Sequence, residues 1–165
     1  MKKLLTAFTV VAFVLSGLSG VQGQGSTSSF DQLKLFEQFL GTWQGNWLKD
    51  TTLVAEIEKH GKAFIETDYT VVNGKKTWQS IWNYSFSPAD GKFRIFVLSA
   101  DGSYITYLAS FVSEKKWIQV IVDNFNPEKT LGRSEVTFDN PSSFSGMAYN
   151  AQGKKVFEGK VTKVK

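Results

Sequence analysis

Four carboxylates have the types and spacing that invite chemistry: Glu56 with Glu58, then Glu66 with Asp68, each pair at i, i+2. Paired carboxyl groups across a cleft perform general acid–base hydrolysis. On an extended chain, i, i+2 spacing puts both members of a pair on one strand face. Both faces read as outward, a solvated negative surface balanced by lysines. His60 is the single histidine, and the chain has no cysteine. This excludes disulfides, thiolate metal sites and multi-histidine metal sites, and leaves a nucleophile–histidine triad only His60 to draw on. His60 stands in Lys59-His60-Gly61-Lys62, an expected exposed turn whose two lysines repel a metal cation. Ser99-Ala100-Asp101-Gly102-Ser103 lacks the spacing of a phosphate-binding loop. The lysine pairs at 75–76, 115–116 and 154–155 flank expected turns, where they serve solubility and edge protection. These residues predict a protein that is not an enzyme and holds no metal and no cofactor.

Positioning any of these groups needs a fold, and 165 residues allow one domain. Lys2 and Lys3, an apolar run from Leu4 to Leu15 and small residues up to Gly23 form the pattern of a secretory leader. The run is too short to span a bilayer, which takes roughly 20 residues. The expected domains are a signal peptide at 1–23, a polar lead-in at 24–29 and one folded domain at 30–165. The expected location is periplasmic or secreted. A secreted domain without cysteine fits a bacterial source better than an animal one. Without Lys2 and Lys3, 17 basic residues face 15 acidic ones, scattered too evenly to predict a nucleic-acid partner.

The spacing predicts one helix, Phe30 to Leu40, capped by Ser29 with Gln32. Its apolar face carries Leu33, Phe36 and Leu40, and Gly41 ends it. Turn chemistry then punctuates the rest of the chain at nine places, among them His60-Gly61, Asn73-Gly74, Asp101-Gly102 and Asn126-Pro127. These breaks delimit ten strands: 42–48, 51–59, 63–72, 75–86, 92–100, 103–112, 116–125, 133–140, 143–150 and 156–164. No second helix intervenes, so the sheet is antiparallel. The expected architecture is all-β: a ten-stranded antiparallel up-and-down barrel with a short N-terminal helix.

Alternation assigns faces. Trp43, Gly45 and Trp47 share one face, as do Leu53, Ala55 and Ile57. Tyr69 with Ile65 and Val71, and Trp78 with Ser80, Trp82, Tyr84 and Phe86, are expected to point inward, opposite the charged faces. Strands 92–100 and 103–112 are apolar on both sides, so their outer face needs a cover: the helix or a second copy of the chain. Arg94 and Gln119 stand in apolar strands with both orientations open. A membrane barrel is disfavoured because Glu56, Glu58, Glu66 and Asp68 interrupt the outer band, so no stable membrane insertion is expected.

Phe39-Leu40-Gly41-Thr42-Trp43, a short helix followed by Gly-x-Trp opening the first strand of a meander, resembles the lipocalin and fatty-acid-binding (calycin) superfamily. The chain is similar in outline, over Phe30 to Lys165, to small exported bacterial lipocalin-like domains. The resemblance implies that Trp43 closes one barrel end under a basic side chain from the last strand, Lys160 or Lys163, through a cation–π contact of roughly 0.5–2 kcal/mol. A more distant likeness to nitrobindin implies a haem ligand on a late strand, but strands 143–150 and 156–164 contain no histidine. The functional expectation is a non-catalytic carrier of a small hydrophobic or amphipathic ligand, lined by Trp47, Tyr69, Trp82, Tyr84 and Tyr107. The alternatives are an interaction module with a filled core, possible as a homodimer, and a carboxylate-based enzyme. A raised pKa at Glu66 or Asp68 would favour the last.

Overall fold

The computed structural model describes residues 30–48 and 51–165, with the side chains of 47–50 left aside. The leader at 1–23, the lead-in at 24–29 with Ser29, the Lys49-Asp50 turn and the Trp47 side chain lie outside the described residues.

The chain runs through α1 (Gln32–Phe36), a 3-10 turn (Glu37–Phe39) and ten strands: β1 (Gly41–Leu48), β2 (Thr51–His60), β3 (Ala63–Val72), β4 (Lys75–Ser87), β5 (Lys92–Ser99), β6 (Tyr104–Ser113), β7 (Lys116–Asp123), β8 (Asn126–Asn140), β9 (Ser143–Asn150) and β10 (Lys155–Lys163). Each strand pairs antiparallel with the next, and β10 returns to β1 to close the barrel, with Trp43 opposite Lys163. Closure leaves none of these ten strands as an unpaired edge.

Two expectations need correction. The helix is a single α-turn tightened into a 3-10 turn, and Asp31 caps it by accepting from the Lys34 N–H at 3.1 Å. Strand β8 starts at Asn126 rather than 133. The turn before it is made by Asn124 and Phe125, both at positive φ, so Pro127 falls at the start of the strand, where a missing donor is tolerated.

Gly41 is fixed by closure. Its φ is +114°, and a Cβ there would sit 2.3 Å from the Lys165 carbonyl oxygen. That oxygen accepts from the Thr42 N–H at 2.8 Å. The glycine of Gly-x-Trp therefore has a geometric cause: only glycine lets the first strand and the chain end approach this closely.

The strands run alternately up and down between a closed end and a mouth. At the closed end α1 and the 3-10 turn sit inside the barrel. Phe36 is 1% exposed, with its ring centroid 4.4 Å from Phe64, 4.7 Å from Tyr84 and 5.0 Å from Phe93. Phe39 packs on Phe138, Phe111 and Trp117. The Gln32 side chain acts like a strand partner to Phe111, donating to its carbonyl at 3.1 Å and accepting from its N–H at 2.8 Å. At the mouth, Ile105 pairs with inward-facing Val97 yet is exposed, so that end is open.

Because the helix is the plug, it does not cover the outside of the barrel. Ile81, Phe96, Leu98 and Tyr104 on β4, β5 and β6 remain exposed, and the Phe96 and Tyr104 rings stack at 5.5 Å. Elsewhere the outer face carries ion pairs, including Lys76–Glu56 at 2.7 Å and Lys116 and Arg133 on Glu135. No helix among the described residues is long and apolar enough to cross a membrane.

Candidate functional site

Strand β3 turns Phe64, Glu66 and Asp68 inward. Pairing settles this: Ile57 stands opposite Glu66 and Ala55 opposite Asp68 on one side, with Trp82 and Ser80 opposite them on the other. Cross-strand partners share a face. The expectation that Glu66 and Asp68 meet bulk solvent outside the barrel is therefore wrong, while Glu56 does face out, on Lys76. The cause is a one-residue bulge in β4. Asp68 pairs with Ser80 but Tyr69 pairs with Trp78, which leaves Gln79 as the extra residue. The bulge sends Trp78 out to an exposed position. Gln79 instead donates to Thr70 Oγ1 at 2.9 Å.

The two carboxyl groups anchor a polar cluster inside an otherwise apolar barrel. Tyr84 OH donates to Glu66 Oε2 in a short hydrogen bond. Asp68 Oδ2 accepts from Ser80 Oγ at 2.8 Å and Trp82 Nε1 at 2.7 Å. Asp68 is 6% exposed, and its Oδ1 has no hydrogen-bond donor. Glu66 keeps part of its surface accessible although protein atoms surround its carboxyl, as expected of a side chain lining an internal space. Trp82 forms one wall, stacked on Tyr107 at 5.3 Å and on Tyr84 at 6.1 Å.

Burial sets the electrostatics. It raises Glu66 well above the usual carboxylate range; the neighbouring Asp68 charge adds to this, and the Tyr84 hydrogen bond opposes it. Burial also raises Asp68, against the lowering effect of its bonds to Glu66, Ser80 and Trp82. Like charges in one buried site oppose joint ionisation, which is how Asp68 raises Glu66. The same burial and the two acids push the Tyr107 hydroxyl up to about 12, and raise Tyr84 as well. No lysine, arginine or histidine among the described residues contributes to the field at either carboxyl.

The rest of the wall is built from small residues. By pairing, Ser134, Gly146, Ala148, Gly159 and Gly45 face inward from β8, β9, β10 and β1. All five are only partly buried, and a Cβ built on Gly146 meets no atom within 4 Å. The Phe157 ring fills the space over Gly159, 2.5 Å from where a Cβ would stand. Gln119 also faces inward, opposite Ala109 and Ser134, and accepts from Trp117 Nε1 at 3.2 Å. Its open orientation is thus resolved, as is that of Arg94, which lies outside on Asp90 at 3.0 Å.

Trp82, Tyr84 and Tyr107 of the expected lining are together. Tyr69 is not with them: it lies on the outer face under Lys76, whose Nζ is 3.5 Å from the ring centroid. At the plugged end, Trp43 is fully buried and donates from Nε1 to the Phe39 carbonyl at 2.6 Å. Lys163 Nζ lies 5.2 Å from the Trp43 ring, whereas Lys160 points outward to Asp139 at 3.0 Å. His60 is an exposed strand end, 3.7 Å from Glu58. No group of three or more potential metal-ligating side chains is found among the described residues. No protein-family model matches the chain, and no curated protein matches it.

Proposed function

We propose that this barrel is an exported, non-catalytic binding protein that holds a small hydrophobic or amphipathic ligand in its interior. One observation carries the reading: the stacked Trp82–Tyr107 wall and an arc of small inward residues, with open room beside Gly146, share one barrel interior. The resemblance of Phe39-Leu40-Gly41-Thr42-Trp43 to the lipocalin and fatty-acid-binding superfamily supports it, and the leader-like 1–23 segment supports a periplasmic or secreted location. Binding then arises from apolar area removed from water, about 25 cal/mol per Å², less the ordering cost. The raised Glu66 and Asp68 carboxyls also suit a carboxylate-based enzyme, but their placement supports the non-catalytic reading. Glu66 and Asp68 sit two residues apart on one strand with donors from β4 on both, rather than across a cleft with substrate between them.

Native mass spectrometry and tryptophan fluorescence against a panel of lipids, aromatic dyes and amines test the reading. A bound small molecule, or a shifted Trp82 emission, is the expected result. No change in mass, fluorescence or melting temperature across the panel would overturn it. The exposed Ile81, Phe96, Leu98 and Tyr104 favour a second reading, an interaction surface that pairs two copies. A single monomeric species across the accessible concentration range in sedimentation velocity would end that reading.

A further inference from the structure

We propose that the Glu66–Asp68 pair is the polar end of the ligand site and selects a small aromatic ammonium compound, which binds in exchange for a proton. The inference rests on the reading of the interior as a ligand site and names the ligand's chemistry.

Three observations converge. Asp68 Oδ1 is buried and lacks a donor, while the other oxygen of the same carboxylate already has two. A buried acceptor left in this state is unfavourable, and an incoming N–H relieves that cost. The groups beside the pair are electron-rich ring faces, Trp82 stacked with Tyr84 and Tyr107, and ring faces attract cations. Finally, none of the described residues facing the pair supplies a countercharge. β2 presents Ala55 and Ile57 to the pair, β4 presents Ser80, Trp82 and Tyr84, and β6 presents Tyr107; none is a cation. An anionic ligand would meet like charge here, and a neutral one would leave the acids as they are.

The exchange balances simply. Without ligand, burial and the Asp68 charge hold a proton on Glu66. The ammonium N–H groups become donors to Asp68 Oδ1 and Glu66, and that proton leaves to solvent. No covalent bond forms or breaks in the ligand.

Isothermal calorimetry with phenethylamine, 2-phenylethanol and 3-phenylpropionate tests this, since the three share a ring and differ in the charge of the tail. Phenethylamine is expected to bind at least about ten-fold tighter than 2-phenylethanol, with 3-phenylpropionate the weakest. Its affinity should rise with pH, and its heat should vary with the buffer's ionisation enthalpy as a proton is released. Asp68→Asn puts an amide N–H where the orphan oxygen was. It should weaken phenethylamine by about ten-fold or more and leave 2-phenylethanol unchanged. Glu66→Gln, which keeps an acceptor for Tyr84, should do the same if Asp68→Asn proves poorly folded by near-ultraviolet circular dichroism. Equal or tighter binding of 2-phenylethanol or 3-phenylpropionate overturns the cation selectivity and leaves the ligand-binding barrel standing. Binding of none of the three overturns the aromatic-ammonium assignment, whereas the ligand-binding barrel itself falls only if the wider lipid, dye and amine panel also fails.

Discussion

Glu66→Gln should stabilise this protein at neutral pH and lose that advantage in acid. In the folded barrel the Glu66 carboxyl has one donor, Tyr84, and a like-charged neighbour, Asp68. Its proton is therefore held to higher pH than in the unfolded chain, where glutamate titrates near about 4.3. Between the unfolded pKa and the raised folded one, the native state binds a proton that the unfolded state has released. Stability accordingly falls as pH rises through that window. A glutamine keeps the acceptor for Tyr84, supplies N–H groups toward Asp68 and carries no charge to desolvate. Removing a poorly compensated buried charge is worth about 1–3 kcal/mol. At about 2–8 °C per kcal/mol for domains of this size, Glu66→Gln should melt several degrees above wild type at pH 8. The gap should close below about pH 4, where both side chains are neutral. Thermal unfolding by circular dichroism from pH 3.5 to pH 8 reads this directly. A variant less stable than wild type at pH 8, or a gap unchanged by pH, would refute the placement of a strained acid inside the barrel.

Further expectations concern closure and register. Gly41→Ala forces a left-handed conformation and a clash with the Lys165 carbonyl. It should lower stability by about 1–3 kcal/mol for the backbone alone, measured by urea unfolding. Lys163→Met should cost about 0.5–2 kcal/mol through the lost contact with Trp43. Lys160→Met, losing only an exposed pair with Asp139, should cost less than Lys163→Met; equal losses would contradict the assignment of Lys163 to the plug. Deleting Gln79 removes the β4 bulge but keeps Ser80 opposite Asp68 and Trp82 opposite Glu66. The expected readout is an unshifted tryptophan emission maximum with a cooperative unfolding transition; a red-shifted maximum would contradict the assignment of Gln79 as the extra residue.

Most of the barrel is legible in the sequence because hairpin turns and period-2 alternation are local. Strand β3 matches its expected 63–72 bounds, and β9 its 143–150 bounds. The helix is harder to read, because Phe36 and Phe39 are chosen for filling the barrel end rather than for helix length. The acid site is misread for a definite reason. An Asn73-Gly74 hairpin without a bulge sets Tyr69 opposite Trp78 and Ile65 opposite Trp82, which puts the acids outside. One extra residue at Gln79 reverses that parity for everything beyond it. A usable signal was present on the other side. The two-residue Gly61-Lys62 turn pairs His60 with Ala63 and so puts Ile57 and Glu66 on one face. Apolar Ile57 pointing inward requires Glu66 to do the same. Hydrophobic alternation alone places acids outside, and it fails where register carries an acid to the apolar face.

The account depends on Glu66 and Asp68 standing together inside the barrel, where burial and the Asp68 charge raise the Glu66 carboxyl. Side-chain carboxyl carbon shifts followed by nuclear magnetic resonance through a pH titration measure this most directly. The account predicts that the Glu66 carboxyl titrates well above the ordinary glutamate range, and that its curve moves when Asp68 is replaced by asparagine. An ordinary, independent midpoint for Glu66 would contradict it.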